Sequence, residues 1–192
     1  MRKFFLALSL CLASTLALAA QPAPKAEPKP ARPASWRVRL AQELPLLGHR
    51  NWILVVDSAY PLQTSPGVET IETNSSQIDV VRTVLDAIAR TPHVRPVLSM
   101  DTELAHIPDA DAPGASAYRT QITALLKGHP IAYQPHDDLI AAVAQTGQQF
   151  HILVLKTTAT VPYSSVFIRL DCRYWSADAE QRLRAAMKSA QH

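Results

Sequence analysis

Two ionisable residues bracket a short apolar run in the first third of the chain. His49 precedes Trp52-Ile53-Leu54-Val55-Val56, and Asp57 follows it directly. An imidazole exchanges a proton near neutrality, with an ordinary pKa of about 6.5. A carboxylate within reach orients such a ring and favours its protonated form. Further on, His136 follows Pro135 and precedes Asp137 and Asp138, and Tyr163-Ser164-Ser165 follows Pro162. These are residues of the chain whose types could take part in proton transfer or hydrogen bonding to a ligand. Each also has an ordinary structural explanation. His49 reads equally as a loop residue, Asp57 as a turn or cap, His136 as a helix start, and Tyr163 as packed aromatic area.

The elements that must position them are readable from periodicity. Trp52 to Val56 is a continuous run of strand formers, as expected of a buried strand. Open α/β sheets place ligand sites beyond the carboxyl ends of their strands, which is where Asp57 emerges. Residues Gln77 to Arg90 predict a helix, with Ile78, Val81, Leu85 and Ile88 on one stripe and Ser76 and Asp79 at its start. Val94 to Met100 predicts a strand near an edge, because Pro96 lacks a donor. Helices are predicted over 116–127, 136–145 and 176–190, and strands over 131–134, 150–155 and 166–170. Gly128 and Gly147 close the first two of these helices. Strands alternating with helices point to an α/β protein with an at least partly parallel sheet.

Not all 192 residues belong to that domain. Arg2 and Lys3 precede the apolar stretch Phe4 to Leu18, which ends in Ala19-Ala20, the pattern of a secretory signal peptide over residues 1–20. Its apolar stretch is shorter than the roughly 20 residues of a membrane span, so no stable membrane insertion is expected. Residues 21–35 carry Pro22, Pro24, Pro28, Pro30 and Pro33, a semi-rigid linker. The folded domain is expected over residues 36–192, with a C-terminal helix at 176–190. The protein is expected to be exported, periplasmic or secreted.

Removing Arg2 and Lys3 takes the formal charge from +3 to +1, which gives no electrostatic case for nucleic acid. Beyond the signal segment, Cys172 is the one cysteine, so no internal disulfide is expected. His93, His106, His129 and His151 match no ligand spacing, and no metal or other cofactor is expected. No Gly-x-Ser-x-Gly elbow and no glycine-rich phosphate loop occurs, against a serine hydrolase or a nucleotide binder.

Gly48-His49, Asp57 and Pro61, then His136-Asp137-Asp138-Leu139, then Pro162-Tyr163-Ser164-Ser165-Val166, stand in an order that resembles the D-ribose pyranase and L-fucose mutarotase family. The resemblance covers about Leu44 to Asp171. It implies a three-layer α/β/α fold with a mixed, partly parallel sheet, and a homo-oligomer. It also implies a mutarotase or pyranase that interconverts anomers or ring forms of a free monosaccharide without a cofactor. By the same resemblance His49 and Asp57 are the catalytic pair, and His136, Tyr163 and Ser165 bind the sugar. The chain departs from the family pattern in three respects: its signal segment, proline-rich linker and C-terminal helix lie outside the usual family domain, and two positions within the domain differ. Ala59 stands where the family has Gly, and Ser165 where it has Asn, whose amide offers both a donor and an acceptor. These departures leave open a non-catalytic sugar-binding or assembly protein on the same scaffold.

Overall fold

The computed structural model describes residues 35–190. The signal segment and nearly all of the proline-rich linker lie outside the described residues. Among the described residues no helix is long and apolar enough to cross a membrane.

The chain opens with helix α1 (Trp36–Glu43) and strand β1 (Trp52–Val56), followed by β2 (Val68–Glu72) and α2 (Gln77–Ala89). Then come β3 (Val94–Asp101), a 3₁₀ turn at Thr102–His106, α3 (Ala115–Leu125), β4 (Ile131–Gln134) and α4 (His136–Thr146). Strands β5 (Ile152–Lys156) and β6 (Val166–Cys172) and helix α5 (Ala177–Ser189) complete the described chain. The six strands form one sheet in the order β2-β5-β1-β6-β3-β4. β1 and β2 run parallel to β5, and β4 runs parallel to β3, while β6 is antiparallel to both β1 and β3. The mixed, partly parallel α/β sheet expected from the sequence is therefore what forms.

Alternation along β1 divides the core. Ile53 and Val55 face one side with α1, α2 and α3, among Leu40, Val81, Ile88, Tyr118 and Ile122. Leu54 and Val56 face the other, with Leu139 and Val143 of α4 and Phe167 of β6. Each such fully buried aliphatic side chain contributes about 1.5–3 kcal/mol. Helix α2 starts as its sequence predicts: the Ser76 hydroxyl accepts from the Asp79 backbone N–H at 3.2 Å. Pro96 is accommodated because β4 pairs with β3 only from Leu98 onward, so that side of Pro96 needs no donor.

Two elements carry no clear sequence signal. Helix α1 buries only Trp36 and Leu40, too short a stripe to stand out. Strand β2 is a half-exposed edge strand, Val68-Glu69-Thr70-Ile71-Glu72. The C-terminal helix forms as expected but buries none of its residues, and Leu183 and Met187 stay 43% and 49% exposed.

Candidate active site

The carboxyl ends of β1 and β3 and the start of α4 meet at one end of the sheet. Asp57 leaves β1 there, Asp101 ends β3, and His136 opens α4 immediately after β4. The loop from β5 to β6 arches over them and carries Thr160, Pro162 and Tyr163. The result is a cleft of 410 Å³ lined by these loop residues, His136 and the Asp57–Pro61 turn. That volume lies within the range of small-molecule sites, roughly 300–1,000 Å³.

His136 is the most closely governed group. Its Nδ1 lies 3.0 Å from Asp101 Oδ1, and its ring meets Tyr163 edge-on, centroids 5.1 Å apart. Its backbone N–H donates to both Glu103 oxygens, at 2.9 and 3.2 Å, and this contact holds the Glu103 carboxyl below its ordinary range. A carboxylate at a helix N-terminus also meets the positive end of the helix dipole. Asp101 is fully buried, and its Oδ2 has no hydrogen-bond partner. Burial pushes its carboxyl up to about 6, against the pull of the His136 contact. Once Asp101 ionises, His136 donates its Nδ1–H to it, and Nε2 is the nitrogen left for a ligand.

Asp57 accepts from the Ala59 backbone N–H at 2.8 Å and so closes its own turn. That contact closes the turn without a left-handed residue: among the described residues those of positive φ are Arg50, Asn74, Tyr163, Gly114 and Gly128, and Ala59 is not among them. Burial, then the negative charges of Asp101 and Asp57, raise the Tyr60 phenol well above its ordinary value.

Tyr163 has φ +56°, a left-handed conformation that costs a bulky residue on the order of 1 kcal/mol or more. A buried clamp holds it there. Gln77 Nε2 donates to Val55 O at 2.8 Å and to Ser164 O at 2.9 Å, while Gln77 Oε1 accepts from Thr157 Oγ1 at 2.6 Å. Tyr118 also donates to Ser164 O, at 2.6 Å. Strand β1 and the β5–β6 loop are thereby fixed to one another.

The structure thus gathers Asp57, His136 and Tyr163, and adds Asp101 and Tyr60, which sequence reasoning missed. Two of the residues expected at the site lie outside this cleft. Ser165 is buried at 1% exposure and does not line the cleft, because it already leads into β6. His49 does not share a cavity with Asp57 within one chain. A five-residue strand advancing about 3.3 Å per residue puts roughly 16 Å between their ends. His49 instead lines a 690 Å³ groove at the opposite end of the sheet, its Nδ1 3.0 Å from Asp171 Oδ1. Asp171 also accepts from Arg95 Nε at 3.0 Å and Nη2 at 2.7 Å.

A mixed α/β sheet with its polar cleft at the carboxyl ends of the parallel strands is the class these features define. No family model matches the sequence, and neither does any curated protein. Solved structures do match. RbsD of Bacillus subtilis, complexed with D-ribose, aligns with 69% of this chain and 91% of its own at 15% identity, with a TM-score of 0.50. The fucose mutarotase of Streptococcus pneumoniae, in complex with L-fucose, covers 69% of this chain and 91% of its own at 17% identity, TM-score 0.47. FucU from Bifidobacterium longum covers 70% and 94% at 12% identity, TM-score 0.46. The fold of this chain is the RbsD fold, so the family resemblance read from the sequence holds at the level of fold.

Proposed function

We propose that this protein is a mutarotase or pyranase acting on a free monosaccharide, and that its His136–Asp101 pair is the acid–base centre. The observation that carries the reading is the pairing of an accessible imidazole with a fully buried carboxylate in a cleft that also holds Asp57 and Tyr163. Ring opening needs little more. A base takes the proton of the anomeric hydroxyl, the bond from the anomeric carbon to the ring oxygen breaks, and an acid protonates that oxygen. Closure on the other face reverses the transfers. The cleft lining contains no Lys or Arg, and Asp57 is its one carboxylate. A phosphorylated sugar would find no counter-charge there, whereas neutral hydroxyls suit Asp57 and the Tyr163 phenol. The ligand bound in the RbsD structure, D-ribose, supports a free sugar as the substrate class.

The cleft offers one imidazole, and two proton transfers are required. His49, half-exposed at the other end of the sheet, reaches such a cleft only from another copy of the chain. A homo-oligomer in which His49 of one copy faces the cleft of the next is therefore part of the proposal. So is export before assembly, on the strength of the signal segment. Without that second imidazole the same cleft makes a non-catalytic sugar-binding module, and His49 lying outside the cleft is the observation that favours this second reading.

Saturation-transfer NMR of anomer exchange in ribose, fucose and galactose decides between them. Wild type should accelerate exchange of at least one sugar. His136→Ala and His49→Ala should each lose about 10²–10⁴-fold of that acceleration, the usual range for acid–base groups. Mixing the two inactive variants should restore part of the activity, because mixed assemblies contain intact sites. Sugar binding without acceleration by wild type sinks the enzyme reading, and mixing without recovery sinks the shared site.

A further inference from the structure

We propose that Glu43, Glu69 and His151 form a binding site for a divalent transition-metal ion of the zinc class. The three residues come from the end of α1, from edge strand β2 and from the residue before β5. One ligand atom from each lies within 4.8 Å of the others. His151 Nε2 is 3.7 Å from Glu43 Oε2 and 3.8 Å from Glu69 Oε2. Both separations are too long for hydrogen bonds. His151 Nε2 is shielded from solvent and has no hydrogen-bond partner. That nitrogen faces two carboxylate oxygens across a gap, on a side chain 35% exposed, and an ion in the gap would supply the partner it lacks. Tetrahedral zinc, with bonds of about 2.0–2.2 Å to nitrogen and oxygen, holds its ligand atoms roughly 3.3 Å apart, so the two separations from His151 need close by only about half an ångström.

The outer contacts are arranged for such a role. Arg39 Nη2 lies 3.0 Å from Glu43 Oε1 and donates to Glu69 Oε1 at 2.6 Å. Each carboxylate thus spends Oε1 on the guanidinium and presents Oε2 to the imidazole. Partners of this kind fix the orientation of metal-ligating groups. The His151 carbonyl accepts from Asn51 Nδ2 at 3.0 Å, which anchors the backbone beneath the ring. One imidazole with two carboxylates suits zinc, whereas calcium and magnesium prefer all-oxygen sets. Three protein ligands leave a fourth position for water. The ion would tie α1 to the β2 edge of the sheet, at the end opposite the Asp57 cleft. Sequence spacing could not suggest this set, since 26 and 82 positions separate its successive members.

The test is calorimetric titration of zinc chloride into the full chain, with cobalt(II) as a spectroscopic probe. Wild type should take up one equivalent at this site, show visible ligand-field bands with cobalt(II), and melt at a higher temperature with zinc than without. Glu69→Gln and His151→Ala should each weaken zinc binding at least about 100-fold, while His129→Ala, on the exposed turn before β4, should leave it unchanged. Circular dichroism checks the fold of each variant. Should His151→Ala fail to fold, the decision passes to Glu43→Gln and Glu69→Gln, which keep side-chain shape. Absence of zinc uptake by wild type overturns the proposal, and so does wild-type affinity in the glutamine variants.

Discussion

Both ends of the sheet carry an imidazole 3.0 Å from a carboxylate, yet the two pairs are built on opposite electrostatic terms. At the cleft, Asp101 is wholly buried, has one unpartnered oxygen, and is pushed up to about 6 by loss of water. At the far groove, burial also pushes the Asp171 carboxyl up. The hydrogen bonds and charge of Arg95, with the Cys172 backbone and His49, outweigh that push and leave it below its ordinary value. An unneutralised buried carboxylate strains the fold and suits proton transfer, while a neutralised one is a fastener. The same imidazole–carboxylate pairing can therefore hold a destabilised carboxylate at one end of the sheet and a neutralised one at the other.

The sharpest way to break this comparison is through stability against pH. The folded-state value of Asp101 lies above its ordinary 3.8, so the native chain holds that proton more tightly than the unfolded one. Its contribution to stability is present in acid, is lost as pH rises from about 4 to about 6, and stays lost above. Asp101→Asn removes the liability and should be more stable than wild type at pH 7 by up to about 3 kcal/mol, with no gain at pH 4. Asp171 has the opposite sign. Its stabilisation is present above the ordinary carboxyl value and is lost as pH falls through its lowered one. Asp171→Asn should therefore cost about 1–2 kcal/mol at pH 7. Urea midpoints of both variants at pH 4 to 7 measure the pair. Parallel shifts of equal sign would show that the two dyads are equivalent. Anomer exchange should follow the same group: the rate should rise as pH climbs through about 6, when Asp101 ionises, and Asp101→Asn should flatten that limb.

The far end of the sheet was the harder one to read from sequence. Strand β1 was legible because five strand formers run unbroken, and α2 because its apolar stripe and Ser76 start agree. Asp57, His136 and Tyr163 were legible as a set because their order resembles a known family. Asp101 escaped notice because it is the last residue of β3, and no local pattern marks a strand-end carboxylate as buried. His49 stands apart from Asp57 within one chain for a geometric reason. Eight positions look close in a sequence, but a strand lies straight and sends its two ends apart. Ser165 was misplaced because a residue entering a strand alternates away from the loop before it. Helix α1 and strand β2 lack an extended stripe, and their identity depends on contacts distant in sequence, such as Arg39 to Glu69.

A second contrast separates the two turns that frame the cleft. The Asp57 turn is held by its own side chain, but the Tyr163 turn is held from outside by Gln77 and Tyr118. Gln77→Leu should remove the buried donor to Val55 O and Ser164 O, at a cost of about 1–3 kcal/mol by denaturant unfolding, while the Thr157 hydroxyl keeps Val56 O as its acceptor. It should also weaken sugar binding more than Asp57→Asn changes stability, because the turn's left-handed residue loses its support. Wild-type sugar affinity in a folded Gln77→Leu variant would show that the clamp serves the core alone.

The smallest effect concerns the phenol itself. Tyr163→Phe keeps the ring against His136 and the same left-handed backbone, so melting should be unchanged. What it removes is one hydroxyl at the cleft, on a residue that is 37% exposed. A single neutral hydrogen bond contributes about 0.5–1.5 kcal/mol, so sugar affinity should fall roughly two- to tenfold. The exchange rate at saturating sugar should stay nearly constant, since the phenol holds the ligand and His136 moves the proton. If the variant loses rate but not affinity, the division of labour is reversed. Tyr163, rather than His49 of another copy, would then supply the second proton.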